Sequence, residues 1–98
     1  MSSHAAPPLS ARFVRRADVV EAEVDGEIVA LNAETAECYG LNGVGSRIWR
    51  LLAAPVTPAE IRTALLAEYE VAPGECERAV ERLLAELLAE GLIERAAL

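Results

Sequence analysis

Few side chains in this sequence are of types that do chemistry, and their spacing argues against most of it. The two thiols, Cys38 and Cys76, lie 38 positions apart with no Cys-x-x-Cys, and the one imidazole is His4. A thiol, or the hydroxyl of Ser46, becomes a nucleophile only beside a base within hydrogen-bond reach. His4 sits in a tail of Ser, Ala and Pro that cannot hold a near-attack geometry. Zinc wants clustered Cys and His, so no metal site is expected. Glu75, Glu77, Glu81, Glu86 and Glu90 recur at helical spacing. Without a companion His or metal they read as a solvated face, not an acid–base pair. Gly40, Gly43 and Gly45 match neither the Walker nor the dinucleotide spacing. The residues thus predict a non-enzyme with no cofactor, whose cysteines serve as small packing groups.

Composition narrows the partners. The chain has 98 residues, enough for one core and one domain. Hydrophobic residues make up 53%, which excludes wholesale disorder. Sixteen acids oppose nine bases, all Arg, for a net charge of −7. That balance disfavours phosphate-rich nucleic acid and anionic membrane surfaces, which both want cations. No apolar run reaches the length of a membrane span, and the first ten residues lack the basic and apolar stretches of a signal peptide. Two cysteines make no disulfide framework, and a cytoplasmic protein with reduced thiols is expected.

The elements that must position any site follow from the periodicities. Residues 1–11, with Pro7 and Pro8 adjacent, read as a flexible tail ahead of a single domain over 12–98. Val19–Val24 alternates, with Val20, Ala22 and Val24 on one face. Asp25-Gly26 is a hairpin turn, and Glu27–Leu31 is the return strand. After a turn over Asn32–Ala36, Glu37–Leu41 is a third strand, and Arg12–Arg16 is a candidate extra one. Short loops make the three an antiparallel meander.

Past Leu41 the period becomes helical. Asn42 caps a helix striped by Val44, Ile48, Leu51 and Leu52, which Pro55 stops. Thr57-Pro58-Ala59-Glu60 is a capping box opening a second helix with Ile61, Leu65 and Tyr69 inward. Pro73 and Gly74 open a third, striped by Cys76, Val80, Leu83, Leu84, Leu87 and Leu88, and Gly91 closes it. Leu92 and Ile93 then fold back on the core. The fold class is α+β, with three antiparallel strands before three helices, most like a winged helix-turn-helix. From Gly74 to Glu90 the third helix carries five Glu and two Arg, a net of −3 that the major groove would repel.

What remains is the outer edge of the third strand, with one charge at Glu37 and a Gly at 40 that lets another backbone come close. Two readings stay open. The edge is covered by a helix or the N-terminal segment, or it accepts a foreign strand beside the third helix.

Three stretches carry a family resemblance: Asp25–Asn32, then Tyr39-Gly40-Leu41-Asn42, then Gly45-Ser46-Arg47-Ile48-Trp49-Arg50-Leu51-Leu52. With Thr57–Ile61, Tyr69 and the closing Leu83-Leu84, Leu87-Leu88 and Gly91-Leu92-Ile93, they resemble PqqD-like proteins. These are the precursor-recognition elements of pathways that modify ribosomally made peptides. The resemblance covers about Val19 to Ile93, and the Tyr-Gly-Leu-Asn strand is most similar to the stand-alone B1 component of lasso-peptide systems.

It implies a winged-helix-like domain that holds a precursor's leader segment as an antiparallel strand added to the third strand and packed on the third helix. Leaders of that class carry a Tyr-x-x-Pro motif that docks in an apolar pocket. The implied partners are that leader, a B2-type leader peptidase and a lasso cyclase, with no nucleic acid or membrane. The chain is expected as a monomer or weak homodimer. Mapped by periodicity, the groove draws on Glu37, Cys38, Tyr39, Gly40 and Leu41 of the strand, with Tyr39 and Leu41 opposite in direction to Cys38 and Gly40. On the helix it draws on Cys76, Ala79, Val80 and Leu83, with Arg78 and Arg82 at the rim for acidic leader residues. For Tyr39, core packing and ligand contact are equally open readings, and Trp49 reads as core. The alternatives are a peptide chaperone of pyrroloquinoline quinone synthesis, an acidic winged-helix transcriptional regulator, and a subunit that uses the strand edge to dimerise.

Overall fold

The structure, a computed structural model, describes residues 11–96. Its elements in order are β1 (Phe13–Arg15), β2 (Val19–Val24), β3 (Glu27–Asn32), β4 (Glu37–Gly40), α1 (Gly43–Leu51), α2 (Pro58–Glu68), α3 (Pro73–Ala89) and β5 (Ile93–Arg95). The tail expected over residues 1–11 lies outside the described residues except for Ala11, which is buried against the core.

Turn chemistry sets the sheet. Asp25 and Gly26 both take positive φ, 53° and 82°, a conformation that matches the twist of the flanking strands. They pair β2 with β3 in antiparallel register, Val24 opposite Glu27 and Val19 opposite Asn32. At the next turn the Asn32 side-chain oxygen accepts from the backbone N–H of Glu34 at 2.9 Å and of Thr35 at 3.3 Å. β4 then returns beside β3, with Gly40 opposite Val29 and Glu37 opposite Asn32. The order is β2-β3-β4, the expected meander before three helices.

The candidate strand at Arg12–Arg16 exists as β1 but joins another ribbon. It pairs with β5, and Phe13 also exchanges backbone hydrogen bonds of 2.8 and 3.0 Å with Val56. The two three-residue segments hold each other by backbone pairing, and β5 is too short to show the alternation by which a strand is read from sequence.

The core is built from Ile28 and Ala30 of β3, Ile48 and Trp49 of α1, Ile61 and Leu65 of α2, and Val80, Leu84 and Leu87 of α3. Trp49 is fully buried, as expected. Its indole N–H donates to Glu21 at 3.0 Å, and the Arg15 guanidinium lies over its ring at 5.1 Å. On β2 the usual alternation is inverted. Glu21 and Glu23 turn toward Arg15 and Arg50, whereas Val20 and Val24 are 56% and 57% exposed on the outer face.

Two stripe assignments are corrected. Val44, placed in the α1 stripe by spacing, is 41% exposed in the first turn. Tyr69, read as an inward residue of the second helix, is its C-cap with extended backbone (φ −126°, ψ 147°) and 39% exposed. Both sit at helix ends, where the chain leaves the packed face and periodicity no longer determines direction.

Candidate functional site: a groove beside a bare strand edge

β4 is the last strand of its sheet, and on its far side no other strand of the described residues pairs with it. Leu41 N–H donates to Ile28 C=O at 2.9 Å, so the backbone groups of Leu41 face inward. Antiparallel alternation turns those of Tyr39 inward as well, and those of Cys38 and Gly40 outward. The free edge is therefore a short ladder offered by Cys38 and Gly40.

That edge is held in place from below. The Asn42 side chain accepts from Gly45 N–H at 2.7 Å and starts α1. One turn on, the buried Ser46 hydroxyl donates to Leu41 C=O at 3.0 Å and accepts from Ile28 N–H at 2.9 Å. It replaces the ladder partner that Ile28 N–H loses as β4 leaves the sheet. Gly45 permits this approach. A Cβ there would lie 3.2 Å from Asn42 Oδ1 and 3.3 Å from Leu41 Cδ2.

The facing wall is α3. Gly91 ends it at φ 70°, and the Asn32 amide donates to Glu90 C=O at 2.9 Å, which ties the β3–β4 turn to the helix end. The Tyr39 hydroxyl donates to the Glu86 carboxylate across the gap. Burial, then that hydrogen bond to an anion, push the Tyr39 pKa up from 10.0 to about 12. At the other end α2 is secured by a bidentate Arg47–Glu68 pair at 2.7–3.1 Å and by Arg62 to Glu77 at 3.1 Å.

Between β4 and α3 lies a groove of about 560 Å³. Its buried lining is Leu41, Gly45, Ile48, Leu65 and Cys76, with Ala79 and Leu83 along the helix side. Val44, Tyr69 and Val71 close the end near the start of α3. The charged groups on it are Arg82, Glu70, Glu75 and Glu86. Burial pushes the Cys76 thiol up, away from the reactive thiolate. Among the described residues no three of His, Cys, Asp and Glu converge to hold a metal ion. The arrangement offers backbone donors and acceptors beside an apolar trough, which is a means of holding an extended chain.

Seven of the eleven expected site residues line this groove: Tyr39, Gly40, Leu41, Cys76, Ala79, Arg82 and Leu83. Val80 does not. It is 1% exposed within the core, because it lies one turn from Cys76 and Leu84 on the innermost line of α3. Arg78 does not line it either, and its guanidinium lies by Gly74, 3.6 Å from where a Cβ would stand. The side chain of Cys38 is exposed and Glu37 begins the strand, both outside the lining. Reading by periodicity missed the core residues Ile48 and Leu65 that floor the groove, Glu86 on α3, Asn42 and Gly45 at the start of α1, and Val44, Tyr69, Glu70, Val71 and Glu75. For those at helix ends and in the α2–α3 connection the available signal was that position, since connecting segments often carry function.

Residues 27–93 match the family model described as Coenzyme PQQ synthesis protein D (PqqD). No curated protein sequence matches the chain significantly. Among solved structures, the chain is similar to TbiB1 in complex with the TbiA(beta) leader peptide, with 39% identity and a TM-score of 0.77 over 86% of this chain and 98% of that one. It is similar to a lasso peptide synthetase B1 complexed with the leader peptide, at 28% identity and a TM-score of 0.74 over 84% and 96% of the two chains. The PqqD truncation of Methylobacterium extorquens PqqCD, a RiPP recognition element, shares the fold at 20% identity and a TM-score of 0.77, with 96% and 100% covered. With the family model spanning most of its length and the same α+β architecture around the groove, this chain belongs to the PqqD family.

Proposed function

We propose that this protein is a non-catalytic binder of the leader segment of a ribosomally made precursor peptide of the lasso type. The leader adds as a strand to the outward groups of Cys38 and Gly40 and seats alternate side chains in the groove against α3. The carrying observation is the β4 edge, unpaired among the described residues and facing an apolar trough, in a chain 39% identical to one whose structure holds a leader peptide. The bound precursor is then presented to a B2-type leader peptidase and a lasso cyclase, in the cytoplasm. Among the described residues no helix is long and apolar enough to cross a membrane.

Titration of the isotope-labelled protein with a synthetic leader of the lasso type, bearing a Tyr-x-x-Pro motif, tests this. The amide resonances of Cys38 and Gly40 and those of α3 are expected to shift, with sub-micromolar to micromolar affinity. Shifts confined to other surfaces, or none, sink the reading. A second reading, chaperoning the precursor of pyrroloquinoline quinone, is favoured by the description of the family. It uses the same groove and predicts tighter binding of that pathway's precursor than of any lasso leader.

A further inference from the structure

The groove also carries a charge pattern that bears on which extended chains it accepts. Six of the nine arginines in this sequence have a carboxylate partner among the described residues, and of the three without one, Arg78, Arg82 and Arg95, Arg82 alone is among the groove's lining residues. Arg12, Arg15, Arg16, Arg47, Arg50 and Arg62 each lie within 4 Å of a carboxylate. Among the described residues Arg82 has no such pair, although Glu86 stands one turn further along α3, the ordinary partner for a helical arginine. Glu86 is engaged instead by the Tyr39 hydroxyl from the opposite wall. Among the described residues Arg82 is also the one cation that lines the groove, since Arg78 lies by Gly74.

We infer that Arg82 is a specificity-determining residue that receives an acidic side chain, Asp or Glu, of the chain bound in the groove, and that Tyr39 keeps it available by holding Glu86. The inference rests on the peptide-binding reading above and deepens it. Glu70, Glu75 and Glu86 give the rest of the lining the opposite sign. An acid is therefore favoured only opposite Arg82 and disfavoured elsewhere, so the groove reads the position of a charge as well as its sign. Arg82 is exposed in the free protein, and a strand laid across it removes part of its water and strengthens the pair.

The test is a panel of the synthetic leader in which each residue in turn is Glu, Gln or Lys, titrated against the wild type, Arg82→Glu and Arg82→Lys. At one position the wild type should bind the Glu peptide about three- to tenfold more tightly than the Lys peptide, as for a partly covered ion pair. Arg82→Lys should keep that order, Arg82→Glu should reverse it, and high salt should flatten both. A panel in which Arg82→Glu keeps the wild-type preferences, or weakens every peptide alike, overturns the assignment while leaving peptide binding intact. If the wild type binds no member of the panel, the peptide-binding reading and this one fall together.

Discussion

Tyr39 joins the two walls of the groove through one hydroxyl. Its folded pKa is raised above the ordinary value of 10.0 to about 12, first by burial and then by its bond to Glu86. A raised pKa means that the folded state holds the proton more tightly than the unfolded chain. The contribution is therefore complete below pH 10 and is lost as pH climbs from about 10 to about 12. Tyr39→Phe should remove this alkaline loss, so the difference in stability between wild type and variant, followed by denaturant unfolding, should shrink across that window and stay flat below it. A difference that is constant through the window would show that the hydroxyl is not bonded to Glu86 in solution. Ser46 is the other single side chain on which the site depends. It satisfies two backbone groups at the point where β4 leaves the sheet, and its chemistry was invisible as a nucleophile because its partners are main-chain atoms.

At the scale of the elements, β4 and α3 make the site between them, and each is shaped by local rules. The strand is short because the N-cap of α1, Asn42, stands two residues after Gly40, and the helix is long because no Pro or Gly interrupts 75–89. Cys38→Pro and Gly40→Pro each delete a backbone N–H that points away from β3, so both variants should fold. Each should weaken leader binding by about tenfold or more, since a lost backbone hydrogen bond contributes on the order of 1 kcal/mol and the ring also obstructs the approaching strand. Calorimetric titration of both proteins against the leader checks this, and wild-type affinity in both would rule out strand addition. That the third strand ends the sheet, and that the third helix flanks it, were legible from the hairpin turn, the Tyr39–Asn42 segment and the α3 stripe, while the pattern left open whether that edge is covered. Val44 and Tyr69 were not, because their spacing continues a buried stripe while their actual place at a helix end turns them to the groove.

Across the whole molecule there are two small sheets among the described residues, and the larger one carries Val20 and Val24 outward. Val20 and Val24 are more than half exposed, and the register sets Val20 beside Leu31 and Cys38 on that outer face. These valines bury little, so the double change Val20→Thr and Val24→Thr should alter folding stability by less than about 1 kcal/mol. It should also leave leader affinity unchanged, because neither valine lines the groove. A large loss of stability in chemical denaturation would mean that the face is covered in solution, and sedimentation with and without leader would then show whether a second copy covers it.

The sequence by itself determined the order of the elements and most of the core, because those depend on short-range rules: turn residues, caps, and apolar periods of two and 3.6. It also determined the acid excess and carried the family likeness in the segments around Tyr39 and Trp49. Only the tertiary structure decided that β1 pairs with β5, that Val80 belongs to the core, and that Arg82 lines the groove while Arg78 does not. Those outcomes depend on where remote segments meet in space. Periodicity fixes the direction of a side chain about its own element, and the neighbour it meets there is set by the packing of the other elements against it.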